Sequence, residues 1–179
     1  MNGRVTALIW RDSMKLRYLC TLAPVLALAV ISGCATQPKP IARNSFPAAE
    51  YAALPQSGTG VVEGQVFLKT VGGDVKYGAG SEVILNPVTS YSEQWHDATY
   101  SKHAPMEPSD SRQNQYIVTT QADGSGNFRF SGVPPGKYFI TSSVYWQAPS
   151  QFGLTNQGGM ITNRITVSDG QTVRSILTR

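Results

Sequence analysis

Three sets of residues have types and spacings that could support chemistry. Glu93, His96 and His103 fall at i, i+3 and i+10, on one side of a helix. Imidazole and carboxylate are ordinary zinc ligands, so this set is a candidate metal site. The simpler account is a polar helix face open to solvent. Asp123, Ser125 and Asn127 have the every-second-residue spacing of a calcium loop's first ligands. Phe128 then stands where such a loop needs Gly, and Pro134 where it needs Glu. A hairpin turn accounts for these residues without a cation. The third set is aromatic. Trp95, Tyr100, Tyr145, Trp146 and Phe152, with Tyr91, are more than a small core requires. Aromatic faces stack on sugar rings or anchor protein interfaces, so these five are a candidate binding surface. The competing account makes Trp95 a staple between helix and sheet, and Trp146 the end of a core strand. No Gly-x-Ser-x-Gly elbow is present, and no carboxylate pair stands in a recognisable catalytic setting. The expectation is a protein that is not an enzyme and has no cofactor.

Cys34 carries a different chemistry. Met14-Lys15-Leu16-Arg17 is followed by an apolar run from Tyr18 to Val30, then Ile31-Ser32-Gly33-Cys34. A basic start, an apolar core of about a dozen residues and a small-residue cleavage site form a secretory signal. The run is short for a transmembrane helix. Its ending resembles the bacterial lipobox, with Ile in the position usually held by Leu. That resemblance implies lipid on the Cys34 sulfur and cleavage before it. An ordinary signal peptide or a membrane anchor is the alternative. Ala35 is not the Asp that marks inner-membrane retention, so the expected place is the periplasmic face of the outer membrane. Residues 1–13 precede a complete signal, which leaves Met1 and Met14 as alternative starts.

Losing residues 1–33 changes the charge. Arg4, Arg11, Lys15, Arg17 and Asp12 go, and the net charge falls from +4 to +1. Only 15% of the chain is charged, against the usual quarter. Nucleic acid is therefore not the expected partner. The expected partners are the membrane, through lipid, and an envelope protein or glycan. Cys20 goes with the signal, so no thiol remains in the folded part for a disulfide or a metal.

These side chains need elements to position them. Residues 34–58, with Pro38, Pro40, Pro47 and Pro55, read as a flexible tether with room for a helical turn near Ala48–Ala53. Residues 59–179 show seven short alternating runs, carried by Val62/Val66/Leu68, Val83/Leu85, Tyr116/Val118, Phe128/Phe130, Tyr138/Ile140/Val144/Trp146, Ile161/Ile165/Val167 and Val173/Leu177. Seven such strands predict an all-β sandwich. Ser90-x-x-Glu93 has capping-box spacing and predicts a helix over 91–102, inserted between strands two and three. Residues 104–114 and 148–160 read as loops. Val133-Pro134-Pro135-Gly136 suits a type II turn, and Ser168–Gln171 a hairpin turn.

Gly64-Gln65-Val66, Val83-Ile84-Leu85, Thr119-Thr120 and the run Gly126-Asn127-Phe128 through Val133-Pro134-Pro135-Gly136-Lys137-Tyr138 carry a family resemblance. Together they resemble the carboxypeptidase regulatory-like domain, a transthyretin-like β-sandwich, over about residues 60–178. That resemblance implies an accessory module rather than a peptidase. Such modules serve in adhesion, folding or carbohydrate contact.

Overall fold

The computed structural model describes residues 38–179. Cys20, Cys34 and the expected signal lie outside the described residues. Among the described residues, no helix is long and apolar enough to cross a membrane.

Eight strands form two sheets. β1 (Gly60–Lys69) pairs antiparallel with β2 (Val75–Tyr77) and β5 (Asn127–Val133), and parallel with β8 (Thr172–Leu177). The second sheet is antiparallel in the order β4 (Val118–Gln121), β3 (Glu82–Pro87), β6 (Gly136–Ser150), β7 (Gly153–Val167). The core between them joins Val62, Val66, Phe128, Phe130 and Leu177 from the first sheet to Val83, Leu85, Ile140, Val144 and Ile161 from the second. Period-two alternation sends these residues inward and their neighbours outward, as a sandwich requires. The all-β sandwich expected from the runs is the fold observed.

The turns are built by side chains. Asp123 Oδ1 accepts from the main-chain N–H groups of Ser125 and Asn127, each at 2.8 Å. Donors from Asn127, then Ser125, hold the Asp123 carboxyl below its ordinary range. Gly126 closes this turn at φ +79°. Its Cα hydrogen faces the Val66 carbonyl, where a Cβ would come within 2.4 Å. The residues with calcium-like spacing thus build a tight turn, but not the expected hairpin, since it carries the chain from β4 in one sheet to β5 in the other.

Several local expectations differ from the structure. An eighth strand, β2, is present. It has three residues, two of them exposed, and carries no alternation to read. The third strand starts at Val118, because Tyr116 ends a 3₁₀ turn, Ser111–Tyr116, that begins in the expected loop and runs past it. The type II turn at Val133–Gly136 does not form, and the left-handed residue there is Gly132 at φ +71°. Ser168–Gln171 is not a hairpin. It carries the chain from β7 in one sheet to β8 in the other, held by Asp169 Oδ1 accepting from Thr59 N and Oγ1. The expected loop at 148–160 is strand. β6 and β7 remain paired to Ser150↔Gly153, leaving Gln151 and Phe152 as the turn.

The insert is helical, as the spacing predicts, but is capped one residue earlier. α2 spans Ser90–Trp95 and continues as a π-helix over His96–Ser101. The capping box is Thr89 with Ser92, not Ser90 with Glu93. Glu50 instead accepts from Ser90 N and Oγ at 2.8 and 2.6 Å.

Glu50 belongs to α1 (Ala48–Ala52), in the segment read as a tether. Residues 41–54 are packed on the domain. Tyr51 is fully buried, stacked on Phe46 at 4.6 Å and against Tyr116 at 4.8 Å. Thr89 Oγ1 donates to the Tyr51 hydroxyl at 3.1 Å. Ile41 bridges Met106, and Arg43 Nε donates to Glu107 O at 2.6 Å. The segment's proline and alanine content masked two aromatic anchors, Phe46 and Tyr51.

Candidate functional site

The outer face of the β4-β3-β6-β7 sheet positions the candidate site. Ile84, Thr141 and Thr162 share one row across β3, β6 and β7, and Asn86, Phe139 and Arg164 share the next. A solvated sheet face would carry charge here. This one carries Phe139, which is fully buried beneath the insert. Trp95 meets Phe139 edge-on at 6.4 Å, His96 stacks on it at 4.6 Å, and the Arg164 guanidinium lies 4.9 Å from its centroid. Trp95 therefore staples the helix to the sheet, and remains partly exposed.

Beside this staple lies a cleft of about 410 Å³. Its floor is Ile84, Thr141, Ser143 and Met160. Trp95 forms one wall, Asn86, Gln113 and Ile117 another, with Arg43 and Ser109 from the covering segments and Glu82 from β3 also in the lining. The polar groups are preset. Gln113 is buried and its Nε2 donates to Asn86 Oδ1 at 3.2 Å. Thr141 and Thr162 share a hydrogen bond at 2.7 Å. Arg43 Nη1 is buried without a hydrogen-bond partner among the described residues. An indole wall, hydroxyls, side-chain amides and a fixed guanidinium suit a polar ligand with an apolar face. The size fits a small-molecule or short oligomer site.

The candidate surface named from sequence divides. Trp95 lines the cleft. Tyr100 and His103 line a separate cavity of about 450 Å³ with Gly158, Gly159 and Arg179. Tyr145 is 66% exposed on the outer face, whereas Trp146 packs against the sandwich core. Adjacent strand residues point to opposite faces, so these two cannot form one platform. Phe152 is 90% exposed in the turn between β6 and β7.

The candidate metal set does not assemble. Glu93 Oε2 accepts from Arg164 Nη2 at 2.6 Å, His96 is stacked on Phe139, and His103 lines the other cavity. No group of three His, Cys, Asp or Glu side chains among the described residues could hold a metal ion. Sequence reasoning missed Arg43, Asn86, Gln113, Thr141 and Ser143. Their only signal was polar residues at outward positions of apolar strands, which ordinarily marks a wetted face.

The fold and cleft define a class: a two-sheet β-sandwich whose outer face is partly roofed to leave a ligand-sized cleft. No protein-family model and no curated protein matches the chain. Among solved structures, it matches a Pseudomonas aeruginosa protein described as a "putative carbohydrate binding protein". The two are 33% identical with a TM-score of 0.71, over 76% of this chain and 99% of that one. The chain belongs to the family of that protein. A minor pilin of Streptococcus agalactiae also matches, at 18% identity and a TM-score of 0.37, over 68% of this chain and 44% of the pilin chain. That second likeness carries no argument.

Proposed function

We propose that this protein is a non-enzymatic carbohydrate-binding module, held at the periplasmic face of the outer membrane by lipid on Cys34. The sugar sits in the cleft beside Trp95. The observation that carries this reading is the cleft's lining: an indole wall over a floor that mixes the Thr141 and Ser143 hydroxyls with Ile84 and Met160, with the Asn86–Gln113 amide pair set beside it. Sugar rings present apolar C–H faces and a hydroxyl rim, and this arrangement meets both. The relative from Pseudomonas aeruginosa supports the same ligand class. A transthyretin-like accessory module, as the sequence motifs suggest, is compatible with such a role. Among the described residues, Glu82 is the single carboxylate in the lining, whereas glycoside hydrolysis ordinarily uses a pair. That supports binding rather than turnover.

The test is a titration of the mature lipoprotein with peptidoglycan fragments and exopolysaccharide oligomers, followed by tryptophan emission. Trp95 and Trp146 are the tryptophans outside the expected leader, whose Trp10 is removed. Trp146→Phe keeps the emission response, and Trp95→Ala, titrated by calorimetry because it lacks the reporting indole, loses about tenfold in affinity, equivalent to about 1.4 kcal/mol. Equal affinity in Trp95→Ala would place the ligand elsewhere.

A further inference from the structure

Past Ser142, β6 leaves β3 behind. The β3–β6 ladder ends at Val83↔Ser142, but β6 and β7 stay paired from Ser143↔Met160 to Ser150↔Gly153. The result is a two-stranded arm of roughly 25 Å, at about 3.3 Å per residue, whose base still packs on the core through Val144 and Trp146. A two-stranded ribbon is only marginally stable alone in water. This one places its most exposed apolar side chain at its tip. Phe152 is 90% exposed, and Leu154, opposite Pro149, is 67% exposed. The tip's polar groups close on one another: Ser150 Oγ donates to Gly153 O and accepts from Phe152 N.

The arm also lacks charge. Residues 138–163 contain no Asp, Glu, Lys, Arg or His. Exposed edge strands ordinarily carry charged side chains, Lys above all. A ribbon without charges has none to desolvate on entering a low-dielectric layer. Gln147, Asn156 and Gln157 behind the tip, with the exposed Tyr145, suit the headgroup level, where amphipathic aromatics gather.

The tether meets the domain near the arm's base. Gly158 and Gly159 of β7 share a cavity with Tyr100 and His103. Three residues beyond His103, Met106 bridges Ile41. From Cys34 to Ile41 the chain can span at most about 23 Å when fully extended. Lipid on Cys34 would hold this flank of the domain within about one arm's length of the bilayer.

We infer that the β6–β7 arm is a membrane-contacting element, whose tip places Phe152 and Leu154 in the interfacial layer of the bilayer that holds Cys34. This rests on the lipid-anchored reading above, and is independent of the glycan. The test uses the mature lipoprotein in phosphatidylethanolamine/phosphatidylglycerol liposomes. Leu154→Cys supplies an exposed thiol for an environment-sensitive fluorophore, and Val71→Cys, in the β1–β2 turn and fully exposed, is the control. The expected result is a several-fold rise in emission at position 154, quenched by spin-labelled lipids and lost with Phe152→Ser, and no change at position 71. Emission at 154 matching that at 71 overturns the inference. So does a rise that follows protein density without lipid quenching, since that marks a second copy as the occupant. Flotation separates the two readings. A chain that floats with position 154 unquenched defeats the arm alone. One that fails to float with Cys34 intact defeats both anchor and arm.

Discussion

Trp95 and Trp146 show how far a residue's type falls short of its role. Both are half-buried indoles next to polar residues in sequence. One walls a cleft and the other packs against the core, because a helix face and a strand face meet different neighbours. Asp110 is a plainer case. Its carboxyl is held at about 2, below the ordinary 3.8, first by the Arg112 side chain and then by the Arg112 main-chain N–H. The folded pKa is depressed, so its stabilising effect is present above the unfolded value. It is lost as pH falls through about 2. Asp123 and Asp169 are shifted the same way by their turn donors. All three are solvent-exposed, so screening keeps each effect small. The melting temperature is expected to fall as pH drops below about 4. Asp110→Asn is expected to flatten that acid limb, measured by thermal melts between pH 2 and 6.

The elements were legible wherever one face is buried and the other wet. Val62/Val66/Leu68 and Val83/Leu85 show this alternation, and the strands they predict are β1 and β3. Beyond Trp146 the β6–β7 arm was not legible, because neither face is buried there and backbone pairing alone leaves no pattern in side-chain type. The insert was legible by its periodicity, but its cap was not. Thr89 and Ser90 are both good cap residues, and the choice between them lies with Tyr51, which meets Thr89 from outside the helix. Turns give the sharpest test at this scale. Gly126→Ala forces a left-handed alanine at φ +79° and puts its Cβ 2.4 Å from Val66 O. The left-handed conformation alone costs about 1–2 kcal/mol, and the clash adds to it. Urea unfolding should show a lower midpoint with an unchanged slope, whereas a wild-type midpoint would mean the turn relaxes freely.

At the scale of the whole molecule, the segment before β1 changes from spacer to component. Phe46 stacks on Tyr51 and meets Tyr91 edge-on, and Arg43 supplies part of the cleft wall. Deleting a fully buried aromatic side chain costs roughly 3–5 kcal/mol. Tyr51→Ala should therefore lower stability by about that amount and weaken glycan binding through loss of the wall. Thermal denaturation and the titration above check both effects. A variant with unchanged stability would return this segment to the role of a tether.

The sequence by itself determined the sandwich, the helical insert and the Asp123 turn. Each depends on a local pattern: alternation, helical spacing or turn chemistry. Only the tertiary structure decided the cleft. Its lining comes from Arg43, Asn86, Trp95, Gln113 and Thr141, which lie far apart along the chain. They meet because the insert buries Phe139 on the sheet and the N-terminal segment packs Tyr51 against Thr89 and Tyr116. Those long-range aromatic contacts leave no spacing in the sequence, and they choose which outward polar residues stay wet and which line a site.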